Sequence, residues 1–368
     1  MIYLDFGATS FRKPRQVEQA VRRTMVRCAN PGRGGYAAAM EAAKTVYDCR
    51  EVAGQLFDCP PERVVFTSNC THGLNIAIRS LVRPGSPVVV TGFEHNAVTR
   101  PLHALGAEIK VAGRKLFDWE DTLNRFEDAL RGAEAAIFTH VSNVFGYILP
   151  VEQMAALCRE RGIPFILDAA QSAGSIPVSL EKLEADFIAM PGHKGLLGPQ
   201  GTGLLLCGRE GVPLLMGGTG SDSIRQDMPD DLPERLEPGT LNVPGIAGLG
   251  AGMAYLRKTG VEKIGRREQK LASQCARGLT KLGLRVFNGL HQAGTVSFVP
   301  PGDGEAFAEA LGRRGIAVRA GLHCAPLAHE SAGTLETGTV RVSFGHSGRM
   351  SEVSAFLEET SKILAAEK

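Results

Sequence analysis

The stretch Pro164-Phe165-Ile166-Leu167-Asp168-Ala169-Ala170-Gln171-Ser172 carries the signal that decides the fold. An apolar run is typical of a parallel strand that is buried on both faces. A carboxylate at its end is placed to contact a ligand, because ligands of open α/β sheets bind beyond the carboxyl ends of the strands. Asp168 would suit a helix N-cap equally well if this stretch stood alone. The flanking segments therefore decide between a ligand contact and a cap.

Short apolar runs recur on both sides of this stretch, and helix-like segments separate them. This alternation predicts parallel strands joined by crossover helices, which is the pattern of the α/β class. We expect a mostly parallel, seven-stranded sheet built from residues 63–67, 87–91, 108–111, 135–140, 164–168, 187–190 and 203–206.

The pattern changes near residue 245, and a smaller C-terminal α+β domain is expected from there. A length of 368 residues is ordinary for two domains. We place the large domain at 15–245 and build the small domain from 1–14 and 246–368. The elements predicted in the second region are one long helix over 245–276, strands at 295–298, near 317 and near 340, and helices at 305–313 and from 351.

Charge and cysteine usage exclude several classes of protein. The 41 basic and 39 acidic residues are interleaved, so no basic block indicates a nucleic-acid partner. Eight cysteines without a C-x-x-C pair predict free thiols rather than a zinc site or a disulfide framework. The sequence shows no export signal and no apolar run of membrane-spanning length. We expect a cytoplasmic protein with no metal, nucleic-acid or membrane partner.

A glycine-rich loop, Gly192-His193-Lys194-Gly195, follows the strand predicted at 187–190. A lysine in a loop is usually a solvated surface charge, but burial among glycine and apolar residues would lower its pKa and make it a Schiff-base nucleophile. A carboxylate at one strand end and such a lysine at a later one indicate pyridoxal phosphate. Asp168 would keep the pyridine nitrogen protonated, and Lys194 would carry the cofactor.

The phosphate of that cofactor needs a binding site, and residues 66–73 offer one. A strand here leads through Ser68 and Asn69 into an amphipathic helix, whose N-terminus would bind an anion. A simple Ser or Thr cap is the better interpretation of this segment alone. Together with Asp168 and Lys194, the phosphate interpretation is favoured.

From end to end the chain resembles the fold-type I enzymes of the class V aminotransferase family, and within it the cysteine desulfurases and selenocysteine lyases. The matching segments are Tyr3-Leu4-Asp5 with Ala8-Thr9, Glu94-His95-Asn96, His140 to Gly146, Asp168-Ala169-Ala170-Gln171, Gly192-His193-Lys194, Glu237-Pro238-Gly239-Thr240 and Arg319 to Ala325.

The resemblance implies a set of cofactor contacts. Lys194 forms the covalent link, Asp168 contacts the pyridine nitrogen, and Gln171 donates to the ring hydroxyl. His95 stacks on the ring and also belongs with the catalytic residues. The implied phosphate contacts are Cys70, Thr71 and His193, with Thr240 reaching the phosphate bound by the second subunit of a homodimer.

The resemblance also implies a substrate side. Asn143 and Arg341 would bind the substrate carboxylate, with Arg319 near them. Without the resemblance, Arg341 would be expected as a surface charge at a strand edge. Cys324 would be the nucleophile that takes sulfur from L-cysteine as a persulfide and leaves L-alanine, and its compact loop implies release to a separate acceptor protein.

Other functions on this scaffold stay open. Several positions depart from the family pattern, namely Pro191, Asn96, Cys70 and the segment 33–36. A selenocysteine lyase is the main alternative. Cys324 argues against a plain aminotransferase, and the presence of Lys194 and Asp168 argues against a non-catalytic sulfur-transfer scaffold.

Overall fold

The computed structural model describes residues 1–32, 34–221 and 223–366. Up to residue 207, helices and strands alternate as the sequence predicts. The helices are α1 (Arg15–Arg27), α2 (Ala37–Phe57), α3 (Cys70–Leu81), α4 (Asn96–Ala104), α5 (Trp119–Ala129), α6 (Val151–Glu160) and α7 (Leu180–Leu183). The strands are β1 (Ile2–Tyr3), β2 (Val64–Thr67), β3 (Pro87–Thr91), β4 (Glu108–Ala112), β5 (Ala135–Thr139), β6 (Phe165–Asp168), β7 (Phe187–Pro191) and β8 (Gly203–Cys207).

Seven of these strands form one sheet in the order β2-β8-β7-β6-β5-β3-β4. Strand β8 runs antiparallel to both of its neighbours, and the pairs from β7 to β4 are all parallel. The predicted α/β class and the mostly parallel seven-stranded sheet are therefore confirmed.

Helices cover both faces of this sheet, which explains why its strands are apolar throughout rather than alternating. Successive residues of a strand point to opposite faces. In β3, Val89 packs into the core on the α2 side, whereas Val88 and Val90 pack into the core that contains α3 and α4. A polar residue within such a strand is costly, so polar side chains gather at the strand ends.

The C-terminal region contains a smaller antiparallel sheet of four strands in the order β12-β13-β10-β9. In addition, β1 pairs in parallel with β11. The elements are α8 (Val243–Thr259), α9 (Val261–Lys281), β9 (Arg285–Phe287), β10 (Thr295–Val299), α10 (Gly304–Arg313), β11 (Ile316–Ala317), β12 (Arg319–Gly321), α11 (Pro326–Ala332), β13 (Thr339–Ser343) and α12 (Met350–Ala366).

The single long helix predicted over 245–276 is wrong. Gly260 has φ of 90° and separates α8 from α9. Side chains of α8 such as Leu249 and Met253 belong to the core on the α2 side of the large sheet, whereas Leu271 and Cys275 of α9 pack in the core of the small sheet. The domain border at residue 245 stays a prediction, and this packing favours a border at Gly260.

Over the described ranges, each helix is too short or too polar to cross a lipid bilayer.

Candidate active site

The carboxyl ends of neighbouring strands bring the predicted cofactor residues around one cavity of about 190 Å³. Asp168 is the last residue of β6, and Lys194 lies in the loop after β7, the adjacent strand. His95 directly precedes α4 and follows β3. The lining includes Cys70, Thr71, His95, Asn143, Asp168, Gln171, Pro191, His193 and Lys194.

Asp168 is 3% exposed and faces a polar environment. Its Oδ1 accepts hydrogen bonds from the Ala170 amide at 2.9 Å and the Cys70 thiol at 3.6 Å. Burial raises the pKa of Asp168, and the Ala170 amide and the charge of Lys194 oppose this rise. The helix-cap alternative is wrong, because α7 begins only at Leu180 and is capped by Ser179.

The Lys194 loop is tight because glycines flank the lysine. A Cβ on Gly195 would clash with the Ala173 carbonyl, and one on Gly192 would clash with the Thr202 hydroxyl. Burial lowers the pKa of Lys194, and the charge of Arg341 lowers it further. The amine is therefore more readily neutral than that of a surface lysine, as a nucleophile or base requires.

His95 is held as a neutral ring. Its Nδ1 accepts a hydrogen bond from the Ala97 amide at 3.0 Å, so the ring proton lies on Nε2. Burial lowers its pKa to about 4, and Lys194 contributes in the same direction. A neutral, fixed imidazole at the cavity wall can stack on a flat ligand or donate one hydrogen bond.

The opposite end of the cavity contains the N-terminus of α3. Asn69 caps this helix by accepting from the His72 amide at 2.9 Å, and Thr71 in the first turn lines the cavity. The segment is thus both capped and placed to bind an anion. The thiol of Cys70 points at Asp168, and its pKa is raised well above the usual value by burial.

The N-terminal segment contacts two residues that line the cavity, His193 and Gln171. The Thr9 hydroxyl lies 3.0 Å from His193 Nδ1 and donates to the His193 carbonyl at 3.1 Å. Burial lowers the pKa of His193 to about 4, which keeps its ring neutral. Gln171 donates from Nε2 to the Gly7 carbonyl at 3.0 Å. Segment 7–9 thus supports two of the predicted cofactor residues.

Arg341 is buried, not exposed at a strand edge, so the surface alternative is wrong. It is 1% exposed in β13. Its Nη2 donates to Asp5 Oδ1 at 2.7 Å and its Nη1 to the Asn143 carbonyl at 3.0 Å. Its Nε is buried without a partner. A buried guanidinium that keeps one donor free can accept an anion.

Cys324 is the exposed cysteine within the described part of the chain; Cys28 is partly buried and the other six are buried. Both His323 and Cys324 have left-handed φ, 50° and 57°. The Cys324 carbonyl accepts from the Asn96 amide at 2.7 Å, and the His323 carbonyl accepts from Asn143 Nδ2 at 2.8 Å. These bonds tie the thiol loop to residues beside the Lys194 cavity.

His323 anchors the same loop from inside. It is 4% exposed, and its Nε2 donates to the Thr339 carbonyl of β13 at 3.2 Å. Burial lowers its pKa to about 2, with Arg341 acting in the same direction. The ring is therefore neutral and serves as a fixed support for the backbone next to the thiol.

Four predicted residues do not line this cavity, namely Arg341 and Cys324, which are described above, and Thr240 and Arg319. Thr240 lines a separate cavity of about 510 Å³. The loop before Thr240 is held by Glu237, which forms a buried ion pair with Arg50 and accepts from the Phe66 amide at 2.5 Å. Arg319 is exposed in β12, at the register position opposite Arg341.

The sequence indicated no role for three support residues: Asp5, Ser10, whose amide and hydroxyl donate to the His193 carbonyl, and His323. The motif Tyr3-Leu4-Asp5 is a usable signal for Asp5, because it is one of the segments that match the family. The sequence gives no signal for the hydrogen bond of the Asn96 amide to Cys324 or for the bond that anchors His323 to Thr339. Arg33, the first residue of the segment 33–36 that departs from the family pattern, lies outside the described residues.

The family model described as Aminotransferase class-V matches residues 2–356. A protein of Pyrococcus abyssi named probable cysteine desulfurase is 34% identical, and the match covers 97% of this chain and 92% of that protein. A probable cysteine desulfurase of Methanothermobacter thermautotrophicus is 32% identical, and the match covers 99% of this chain and 94% of that protein.

Solved structures show the same fold. The apo structure of a cysteine desulfurase from Thermococcus onnurineus NA1 aligns with a TM-score of 0.91 and 32% identity, covering 99% of this chain and 95% of that one. The cysteine desulfurase CsdA from Escherichia coli, in an S-sulfonic acid form, aligns with a TM-score of 0.88 and 26% identity, again covering 99% and 95%.

Proposed function

The chain belongs to the aminotransferase class-V family, and we propose that it is a cysteine desulfurase that converts L-cysteine to L-alanine and leaves a persulfide on Cys324. One observation carries this function beyond the family. The exposed thiol of Cys324 sits in a loop that Asn96 and Asn143 tie to the rim of the Lys194 cavity. The names of the matched relatives agree with this activity.

We propose pyridoxal phosphate as the cofactor, and the donor set fits it. Asp168 offers a buried carboxylate to a ring nitrogen, Lys194 an amine of lowered pKa, and His95 a flat neutral ring. The N-terminus of α3 with Thr71, together with His193, suits the phosphate, and Gln171 suits the ring hydroxyl. When bound, the cofactor supplies an electron-withdrawing ring that stabilises negative charge on the substrate carbon.

Lys194 is the group that moves the proton. Because burial lowers its pKa, the amine is better suited than a surface lysine to accept the proton from the substrate α-carbon. The charge of Lys194 acts against the burial that raises the pKa of Asp168, and an ionised Asp168 would stabilise a cationic ring nitrogen. His95 would contact the ring and the substrate from one face, as a neutral group that adds no charge.

Cys324 carries out the sulfur transfer. Its thiolate attacks the substrate sulfur, so an S–S bond forms while the Cβ–S bond of the substrate breaks. The electron pair of that bond stays on the substrate carbon, which takes up a proton and becomes the methyl group of alanine. The sulfur loses the two electrons that the carbon gains, so no external oxidant is needed. Cys324 keeps the sulfur as a persulfide.

Arg341, Asn143 and Arg319 are proposed to bind the substrate carboxylate. The free Nε of Arg341 and the position of Asn143 in the cavity wall support this role. The Asn143 amide nitrogen already binds the His323 carbonyl, so the residue also orients the thiol loop. Arg319 is exposed near the thiol and would add positive charge there.

We propose a homodimer in which Thr240 contacts the phosphate held by the second subunit. The separation of Thr240 from the Lys194 cavity supports this, as do the exposed side chains of Tyr36, Met40 and Tyr47 on and beside α2 near the Thr240 cavity. The persulfide would pass to an acceptor protein or a small thiol. A reduced thiol at Cys324 is required, which suits the cytoplasm.

The test is alanine formation by cofactor-loaded protein from L-cysteine and, in parallel, from L-selenocysteine, with a thiol reductant present. We expect alanine from L-cysteine, and its loss in Cys324→Ala. Cys28→Ala is the matched control, since Cys28 is the next most accessible thiol, and it should keep full activity.

Other outcomes would replace the proposal. Alanine from L-selenocysteine alone would make the protein a selenocysteine lyase. Amino-group transfer to a keto acid without alanine release from cysteine would make it an aminotransferase. Binding of sulfur without any turnover would make it a sulfur-transfer scaffold.

A further inference from the structure

The N-terminal motif Tyr3-Leu4-Asp5 lies against the buried guanidinium of Arg341. The Asp5 carboxylate and Arg341 Nη2 are 2.7 Å apart, and the side chains are 18% and 2% exposed. The backbone of this segment is joined to β13, because the Ser343 amide donates to the Leu4 carbonyl at 2.8 Å. The contact therefore belongs to the folded frame and not to a loose terminus.

Gly7 lets this segment approach the guanidinium closely. A Cβ on Gly7 would lie 3.2 Å from Arg341 Cζ and 3.2 Å from the Ser343 hydroxyl, which is tighter than an ordinary contact. The Gly7 amide donates to that hydroxyl at 2.7 Å. Arg341 is thus packed between Gly7 and Asn143, with Asp5 as its charged partner.

The hydrogen bonds of Arg341 leave one of its three nitrogens without a partner. Nη2 is bound to Asp5 and Nη1 to the Asn143 carbonyl, while Nε is buried without a partner. Among the described residues, Arg341 is the ion-pair partner of Asp5. A buried cation without a counter-ion is costly, so Asp5 compensates Arg341 when no substrate is bound.

We propose that Asp5 is the resident counter-ion of Arg341 and that it competes with the substrate carboxylate for the guanidinium, so that it sets the affinity for amino acids. Asp5 acts through Arg341 and is therefore a positioning residue. This inference rests on the proposed function, in which Arg341 binds the substrate carboxylate.

The charges around Arg341 determine the sign of the effect. A substrate carboxylate on Arg341 approaches the Asp5 carboxylate, and the two anions repel each other. Arg319 is another cation whose field acts on Arg341. Removing the negative charge of Asp5 leaves Arg341 and Arg319 less compensated, so the pocket should attract a carboxylate more strongly.

Asp5→Asn tests this, because asparagine keeps the shape and the acceptor oxygen but removes the charge. The ligands are L-alanine and ethylamine, which share a carbon chain and an amine and differ by the carboxylate. Binding to cofactor-loaded protein is measured from the ligand-induced rise in melting temperature, with each variant compared with its own unliganded form.

We expect L-alanine to bind Asp5→Asn about fivefold or more tightly than wild type, and ethylamine to bind both equally. Glu330→Gln, which breaks the surface ion pair with Arg114, is the control and should leave the affinity for both ligands unchanged. In an Arg341→Gln background, Asp5→Asn should no longer alter L-alanine binding, since its effect passes through Arg341.

Weaker or unchanged L-alanine binding in Asp5→Asn would overturn the inference, and so would an equal gain for ethylamine. If Asp5→Asn fails to fold, Asp5→Glu replaces it: keeping the charge should keep wild-type L-alanine affinity, and a gain of fivefold would contradict competition by charge. Wild type that binds L-alanine but makes none from L-cysteine would defeat the proposed function and leave this test intact.

Discussion

The two halves of the proposed active site are built on different kinds of backbone. The cavity half, His95, Asp168 and Lys194, stands at the ends of buried parallel strands. The thiol half, residues 322–325, is a loop whose His323 and Cys324 adopt left-handed φ. Strand ends are positioned by the whole sheet, whereas the loop is positioned by a few hydrogen bonds. We therefore expect alanine formation to depend most on charge in the first half and on single hydrogen bonds in the second half.

The largest effect is expected from a charge change in the cavity half. Asp168→Asn should lower alanine formation by about a hundredfold to a thousandfold, because the amide cannot stabilise a cationic ring nitrogen. Circular dichroism should show an intact fold, since the side chain keeps its size. Asp128→Asn on the surface of α5 is the control. Activity within tenfold of wild type would refute this role of Asp168.

Thiol labelling separates the two halves directly. Cys324 is exposed, whereas Cys70 beside Asp168 is buried and burial raises its pKa well above the usual value. Iodoacetamide should modify Cys324 at least about a hundredfold faster than Cys70, because the thiolate is the reacting form. Peptide mass mapping over time measures both rates in one sample. Similar rates at the two sites would mean that the cavity half is open to reagent.

A smaller effect is expected from a contact loss in the thiol half. Asn143→Ala removes the bond to the His323 carbonyl and should lower alanine formation about tenfold. The iodoacetamide rate of Cys324 should change as well, and this readout does not depend on substrate binding. Asn75→Ala is a matched control, because its amide also donates to a backbone carbonyl, that of Thr71. An unchanged labelling rate would show that Asn143 does not hold the loop.

The smallest effect is expected from a buried carboxyl group beside the cavity half. Glu268 of α9 lines a small cavity that Gln171 and Lys194 also line. Burial raises the pKa of Glu268 from 4.5 to about 8, so the folded protein keeps a proton that the unfolded chain releases. The stability it contributes is present below the unfolded pKa and is lost as the pH rises through the folded one.

Glu268→Gln should therefore raise the melting temperature by a few degrees at pH 8.5 and change it little at pH 4.5. Thermal melts across this pH range measure it. Glu309→Gln, on the exposed face of α10, is the control and should follow the wild-type profile. A gain of equal size at both pH values would exclude titration of Glu268 as the cause.

Much of the cavity half could be predicted from residues 164–172 and 192–195. Apolar runs with a polar last residue are local features, and the rule that strand ends meet at one sheet edge brings distant residues together. The same reasoning failed for the helix over 245–276, because apolar spacing continues across Gly260 although the backbone does not. It also missed the anchoring of His323, which depends on Thr339 in a strand later in the chain.

The sequence by itself determined the class of the fold, the seven strands of the large sheet and the placement of Asp168 and Lys194 at the carboxyl ends of two strands, because each depends on periodicity and strand-end chemistry within short segments. Only the tertiary structure decided the state of Arg341. From the sequence alone, an arginine within a strand is expected at the surface. The burial of Arg341 follows from its contacts with Asp5, Gly7 and Asn143. Burial, and with it charge pairing, depends on segments far apart in the chain.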